Sequence, residues 1–170
     1  MTQAISVRIA QAISVRIAEA IAEELRNHTF TLSPTVRRGY IQDRDLLLTQ
    51  VDDLRIDVQA GDCKTDRLTQ EDTKYTCRTD IAIRKHFSQA ESDADTGEID
   101  TTEVDRLILL TEQIHDFFAR NTDGDSGRRL STYEEAAVVT VEFRPLYFPE
   151  HLRENRQFTG VVAVTHQVIA

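Results

Sequence analysis

Two strand patterns in residues 136–170 constrain the fold of this chain more than any other feature. The stretch AAVVTVEF alternates its side chains between two faces, and FTGVVAVTHQVI does the same further on. A period of two predicts half-buried strands, here joined as two neighbours in one sheet. The apolar faces are expected to be Ala137, Val139, Val141 and Phe143 in the first strand, and Phe158, Val162, Val164 and Val168 in the second.

The connection between these strands, RPLYFPEHLRENRQ, is too long and too charged for a tight hairpin turn. Rigid strands can hold such a loop in place, and long surface loops often contain the residues that bind a partner. We therefore expect a partner-binding surface with apolar anchors and a polar rim. Its residues are Leu146, Tyr147, Phe148, Glu150, Arg153, Glu154 and Arg156. The alternative is that Tyr147 and Phe148 fold back onto their own sheet.

A perfect tandem octapeptide lies at the N-terminus, with QAISVRIA at Gln3–Ala10 and again at Gln11–Ala18. Strong helix formers follow it, so the region predicts a helix. Its isoleucines recur at every fourth position, and each step rotates the apolar row by about 40°. From Ile13 to Leu25 the row turns by about 120°, but from Ile5 it turns by about 200°, too wide for one sheet to cover. We expect residues 1–10 to be a helical extension and residues 11–170 to be one domain. A chance duplication and an arm that docks on a neighbouring subunit are both open interpretations of the first copy.

The middle of the chain adds two strands and a helix. LRIDV at 54–58 and YTCRTDIAIRKHF at 75–87 predict strands, with a polar loop at 59–74 between them. A helix is predicted from Asp100, the N-cap, to near Asn121. The resulting order is helix, strand, strand, helix, strand, strand. It favours an α+β fold in which two helices pack on one face of a mostly antiparallel four-stranded sheet.

Charged residues of both signs occupy the other face of the predicted sheet. They are Arg55, Asp57, Arg78, Asp80 and Arg84. Such a face is typically solvated. An inter-subunit surface or a face lining a channel is the alternative.

Composition excludes several classes of protein. The formal net charge of −9 argues against a general nucleic-acid binder, which needs basic residues to replace phosphate counterions. No run approaches the roughly 20 apolar residues of a membrane span. Arg8 and Arg16 interrupt the N-terminal region, so it does not resemble a signal peptide. Cys63 and Cys77 lack a metal-binding spacing, and we expect free thiols in a reducing compartment, with a disulfide as the alternative.

Two groups of polar residues resemble metal sites without matching them. Asn121, Asp123 and Asp125 open like a calcium loop, but Thr132 stands where a bidentate glutamate is needed. The second group is the acidic cluster Asp43, Asp45, Asp52, Asp53 and Asp57, which would fit a magnesium-dependent enzyme. No lysine or histidine lies near this cluster at a recognisable spacing. The five histidines are scattered and form no zinc motif. We therefore expect no catalytic residue, no resident metal and no cofactor, and a protein that acts by contact.

Beyond the first octapeptide, the chain resembles the tail terminator proteins of tailed bacteriophages and prophages, also called tail completion or head–tail joining proteins. The resemblance starts with the helix IAEAIAEEL and the segment VRRGY before the first strand. It continues through DIAIRKHF and the helix TEVDRLILLTEQIHDFF. It ends with VTVEFRPLYFPEHLRENRQFTGVVAVTH. These patterns are family-like sequence features and carry no catalytic signature.

The resemblance implies a structural protein of the virion neck that is assembled in the host cytoplasm and is not an enzyme. Its expected partners are further copies of the chain in a hexameric ring, the tail tube protein, and the head-side connector or stopper protein. DNA would pass through the ring without sequence-specific binding, and no membrane or cofactor is implied. The alternatives are another neck component such as a head-completion or stopper protein, an unrelated soluble adaptor, or a metal-dependent enzyme that uses Asp43–Asp57.

Overall fold

The computed structural model describes residues 12–40, 53–88, 96, 98–120 and 128–170. The first octapeptide, Asp43, Asp45 and Asp52 of the acidic cluster, and Asn121, Asp123 and Asp125 of the calcium-like pattern lie outside these residues. The helices are α1 (Ile13–Asn27), α2 (Thr101–Ala119) and α3 (Pro149–Asn155). The strands are β1 (Thr35–Arg38), β2 (Arg55–Arg67), β3 (Thr73–His86), β4 (Arg129–Leu130), β5 (Tyr133–Phe143) and β6 (Gln157–Ile169).

The predicted four-stranded sheet with two helices is wrong. The described residues contain three helices and a curled six-stranded sheet that forms a half-barrel, with the order β1-β2-β3-β6-β5-β4. The sheet is mixed, because β1 pairs with β2 in parallel while the other neighbours are antiparallel. The two long C-terminal strands are neighbours as predicted, and β6 lies between β5 and β3.

The elements that the sequence interpretation missed are short. Strand β1 has four residues, between Pro34 and Gly39, in a segment for which no strand was predicted. Strand β4 has two residues. Helix α3 lies inside the predicted loop and begins with Pro149, the residue type that favours the first helical position. Four residues of alternating pattern are too few to separate a strand from a loop by periodicity alone.

Strands β2 and β3 extend far into the stretch that was predicted to be a polar loop. Cross-strand pairs run from Cys63 and Cys77 to Arg67 and Thr73, so the true turn is residues 68–72. We call the projecting part, residues 62–74, the hairpin arm. Its residues 62–72 are all exposed. The prediction failed because these residues are polar on both faces, and a strand without a buried face has no apolar alternation.

Helices α1 and α2 cover the inner face of the sheet. Helix α1 packs against β1, β2 and β3 and also reaches β4 and β5, whereas α2 packs against β5 and β6. The predicted stripe of α1 is correct for Ile17, Ile21 and Leu25, which are buried. Asp100 caps α2 as predicted, because its Oδ1 accepts a hydrogen bond of 2.9 Å from the Thr102 amide. The residues that β3 and β6 bury on this face include Phe158, Val162, Val164 and Val168 in β6 and Cys77, Thr79, Ile81 and Ile83 in β3.

A β-bulge in β5 changes the faces predicted for that strand. The register shifts between Val138, opposite His166, and Thr140, opposite Thr165. The extra residue is Val139, which is exposed although it was predicted to share a face with Val141. A bulge inserts one residue into the alternation, so every assignment on one side of it is inverted.

Cys63 and Cys77 form a disulfide, so the expectation of free thiols is wrong. The two residues are register partners in β2 and β3, and their Cα atoms are 4.0 Å apart. This places a covalent link at the base of the hairpin arm. The sequence could not show this proximity, because it depends on the β2–β3 ladder and on a register shift between Ala60 and Cys63.

Candidate functional site

The first residues of the connection between β5 and β6, residues 144–156, are hydrogen-bonded to β6 at two points. The Arg144 amide donates to the Val161 carbonyl at 2.7 Å, and the Phe148 amide donates to the Thr159 carbonyl at 2.9 Å. Between these bonds the chain bulges outward over Gly160. A Cβ atom there would lie 2.6 Å from the Leu146 carbonyl oxygen, so the close approach requires glycine.

The two aromatic residues of this β5–β6 connection pack against different partners, and Tyr147 is the one that contacts the core. The Tyr147 ring stacks on the buried Phe158 ring, with 6.3 Å between centroids. The Phe148 ring stacks on His151 at 4.8 Å. Leu146, Tyr147 and Phe148 are all half-buried. The alternative in which Tyr147 folds back onto its own sheet therefore describes the isolated chain, and contact of these residues with a partner stays a prediction.

Helix α3 presents the polar part of the predicted surface. Glu150, Arg153 and Glu154 are exposed, and Arg153 and Glu154 form a loose ion pair of 3.9 Å. Arg156 closes the helix in the left-handed region, with φ of 51° and its amide bonded to the His151 carbonyl. Arg156 also donates from its guanidinium to the Ser88 carbonyl at 3.3 Å, which ties the end of α3 to the end of β3. The three exposed residues are thus held on a defined scaffold.

A cleft of about 580 Å³ separates α3 from the N-terminal half of α2. Its wall is apolar, and charged groups stand at its rim. The apolar residues are Ile99, Val104, Ile108, Tyr147, Pro149 and Leu152, and the charged ones are Glu98, Asp105, Arg153 and Arg156. Leu152 was missed by the sequence interpretation, although its position three residues after Pro149 fits one face of a short helix. An apolar cleft with a mixed rim can accept an apolar side chain of a protein partner.

The charged face of the sheet is more buried than predicted. Asp57 is fully buried, and Arg55 and Arg84 are nearly so. Asp57 forms ion pairs with Arg37 and, at 3.3 Å, with Arg55. A buried carboxylate that is already paired with two guanidinium groups is a poor ligand for magnesium. Asp53 and Asp57 are the members of the acidic cluster that lie in the described residues. Because of its two ion pairs, Asp57 has a structural role.

A second buried ionic group joins α1 to the start of the β4–β5 hairpin. Glu24 accepts bonds from the Ser131 amide and hydroxyl at 2.6 and 2.7 Å, and from Arg128 at 2.6 Å. Burial raises the pKa of Glu24, but the bonds from Ser131 and Arg128 outweigh it, so the pKa lies below its ordinary value. The Arg128 guanidinium also stacks over the Phe117 ring at 3.7 Å. Arg128 is therefore part of the packing between α1, α2 and the β4–β5 hairpin.

The histidines do not converge. His166 is fully buried on the inner face of β6, with both ring nitrogens lacking a hydrogen-bond partner among the described residues. Burial lowers the pKa of His166 to about 4, against the opposing field of Glu24. His115 stacks on Phe143, 4.4 Å between centroids. Within the described residues, no three His, Cys, Asp or Glu side chains lie together as a metal site would require.

Comparison of the chain with protein-family models and with curated proteins finds no match. A search of the described helices for one that is long and apolar enough to cross a bilayer finds none.

Proposed function

We propose that this protein is a structural component of a phage neck, a tail terminator that caps the tail tube as a ring and joins the tail to the head connector. The proposal rests on the family-like sequence patterns together with one structural observation. The β5–β6 connection forms a surface in which the apolar α2–α3 cleft lies beside the exposed charges of α3. A surface of this composition suits recognition of another protein.

The physical character of the chain is compatible with this role. A ring of identical subunits requires two different patches on each copy, because its contacts are head-to-tail. A net charge of −9 disfavours tight binding of the duplex that passes through such a ring. The buried ionic groups around Asp57 and Glu24 act inside the subunit, which leaves the α2–α3 cleft and the α3 charges for partners.

The test is the assembly state of the purified protein, alone and with tail-tube protein from the same source. We expect a ring by native mass measurement, and we expect tubes polymerised in its presence to be shorter in electron micrographs. A protein that stays monomeric and leaves tube length unchanged would contradict the proposal.

A charge reversal on α3 locates the partner surface. Glu154→Arg should weaken either capping of the tube or binding of the head-side protein, because Glu154 is exposed beside the cleft. Glu23→Arg is the matched control, since Glu23 is also exposed but lies on α1. Equal effects of the two variants would show that net charge, rather than this surface, controls assembly.

A further inference from the structure

Within the described residues, the six-stranded sheet has an open edge at each end, because its outermost strands are much shorter than their neighbours. At one end β1 covers β2 only from Arg55 to Val58, and the bond from the Gly39 amide to the Val58 carbonyl is the last. At the other end β4 pairs only with Tyr133 and Ala137 of β5, followed by a bond from the Val138 amide to the Arg128 carbonyl. No described strand pairs with the outer sides of residues 62–67 and 139–143.

Most side chains of these two unpaired segments are exposed to solvent. Every residue from Asp62 to Arg67 is exposed, as are Val139, Thr140, Glu142 and Phe143. Val139 and Phe143 are 47% and 38% exposed, although valine and phenylalanine favour a covered strand. Open strand edges with exposed backbone groups are templates for pairing with another chain.

The direction of the backbone groups follows from the bonds at the end of each strand. The Leu68 amide donates inward to the Asp72 carbonyl, so by alternation Cys63, Thr65 and Arg67 direct their backbone groups outward. The Arg144 amide donates inward to Val161, so Phe143 and Val141 direct theirs outward. The bulges lie at the inner ends of both segments and leave these residues in regular alternation.

Charge permits the two edges to meet. Residues 62–67 carry Asp62 and Asp66 against Lys64 and Arg67, and residues 139–144 carry Glu142 against Arg144. Each segment is therefore neutral, in a chain with a net charge of −9. Two copies carry the same negative net charge, and segments without net charge add no repulsion of their own when they meet.

We propose that the open edge of β2 in one copy pairs with the open edge of β5 in a second copy, so that the sheets join head to tail. The partner is a further copy of this chain, because both complementary edges are present on one subunit. This inference deepens the proposed ring, since a heterologous contact that repeats with rotation closes into a ring. It differs from the α2–α3 surface, which is left free for the tube or the head-side protein.

The test uses proline on the outward-facing positions. Thr65→Pro and Phe143→Pro each remove an amide that makes no bond in the monomer ladder, so each should fold but lose one edge. At a concentration where the natural chain is mainly oligomeric, each variant alone should be monomeric, with association weakened at least tenfold. Thr65→Val, which keeps the amide and a β-branched side chain, is the control and should assemble normally.

Mixing the two proline variants gives the decisive result. Thr65→Pro keeps its β5 edge and Phe143→Pro keeps its β2 edge, so an equimolar mixture should form dimers and nothing larger. Assembly of either variant at the natural level, or a mixture that stays monomeric, would overturn the edge-pairing inference while leaving the ring intact. A natural chain that is monomeric under all conditions would instead contradict the proposed function.

Hydrogen exchange keeps the test valid if a proline variant unfolds. In the natural chain the amides of Thr65 and Phe143 should exchange rapidly in dilute monomer and at least tenfold more slowly in the assembled form. The inward amide of Arg144 should be protected in both states and serves as the internal reference. Equal exchange of Thr65 in both states would overturn the proposal.

Discussion

The hairpin arm and the β5–β6 connection are both long, polar segments, yet they fold by different means. The arm is held by the β2–β3 ladder, the Cys63–Cys77 link and a turn in which Thr69 and Asp72 bond each other. Its side chains face water. The β5–β6 connection has little ladder pairing, and it is held by contact of Tyr147 and Leu152 with the core.

This difference shows which interactions determine order in polar segments. Backbone pairing orders the arm without burying apolar surface, so its stability depends on the ladder and on covalent closure. Apolar anchoring orders the β5–β6 connection, so its stability depends on the residues beneath it, above all Phe158. Substitutions in the core should therefore disturb the connection far more than the arm.

The largest expected loss of stability follows from removing the Phe158 ring, which lies beneath the β5–β6 connection. Phe158→Ala should lower the free energy of unfolding by about 3–5 kcal/mol, because the ring is fully buried and Tyr147 stacks on it. Urea denaturation followed by circular dichroism measures this loss. A loss below about 1 kcal/mol would show that the β5–β6 connection does not depend on Phe158.

The next largest change in stability is expected from protonation of His166. This residue is the register partner of Cys77, where the hairpin arm joins the core. Its pKa is lowered from 6.5 to about 4 by burial, so the folded state favours the neutral ring. The stabilisation is complete above pH 6.5 and is lost as pH falls toward 4. The difference between the pKa of 6.5 in the unfolded chain and about 4 in the folded chain corresponds to about 3 kcal/mol of unfolding free energy.

Measurement of unfolding free energy between pH 7.5 and 4.5 tests this expectation. His166→Leu removes the titrating group and should give a flatter profile over this range. The Glu24 pKa, which lies below 4.5, places the loss from that carboxyl at lower pH. Parallel profiles for the two proteins would assign the acid sensitivity to other groups.

A smaller loss of unfolding free energy is expected when the Cys63–Cys77 disulfide at the base of the hairpin arm is reduced. Residues 63 and 77 are 14 positions apart, and closing a loop of this size stabilises a fold by about 2–3 kcal/mol. Reductant should therefore lower the midpoint of urea denaturation. Cys63→Ser, at an exposed position, should start from the lower midpoint and show no response to reductant. A response in that variant would mean that reductant acts elsewhere.

The sequence predicted the elements whose residues are buried on one face. The stripe of α1 from Ile17 to Leu25 and the alternation of β6 from Phe158 to Val168 are both correct, because burial imposes the period that the prediction uses. The α2 cap at Asp100 was predictable from local chemistry. Ile108, on the same helix, is half-buried, because it lines the open α2–α3 cleft.

The candidate site was predicted less well, because its geometry depends on contacts that are distant in sequence. Three of the charged residues predicted for α3 are exposed, whereas Arg156 is half-buried and bonded to the Ser88 carbonyl. The sequence could not show that Phe158 lies beneath Tyr147. The burial of Asp57 required Arg37 from β1, a strand the sequence interpretation missed. The open edges could not be predicted, since an edge is defined by where neighbouring strands end.

The smallest effect is expected at the tip of the arm. Leu68 is half exposed and lies at the start of the turn, where its amide bonds the Asp72 carbonyl. Leu68→Ser keeps that backbone bond and removes a side chain that is not part of the core, so the free energy of unfolding should change by at most about 0.5 kcal/mol. The measurement is the same urea denaturation used for Phe158→Ala, on dilute protein that is monomeric. A loss above about 1 kcal/mol would show that the tip packs against the rest of the subunit, and the contrast between a ladder-held arm and a core-held connection would then fail.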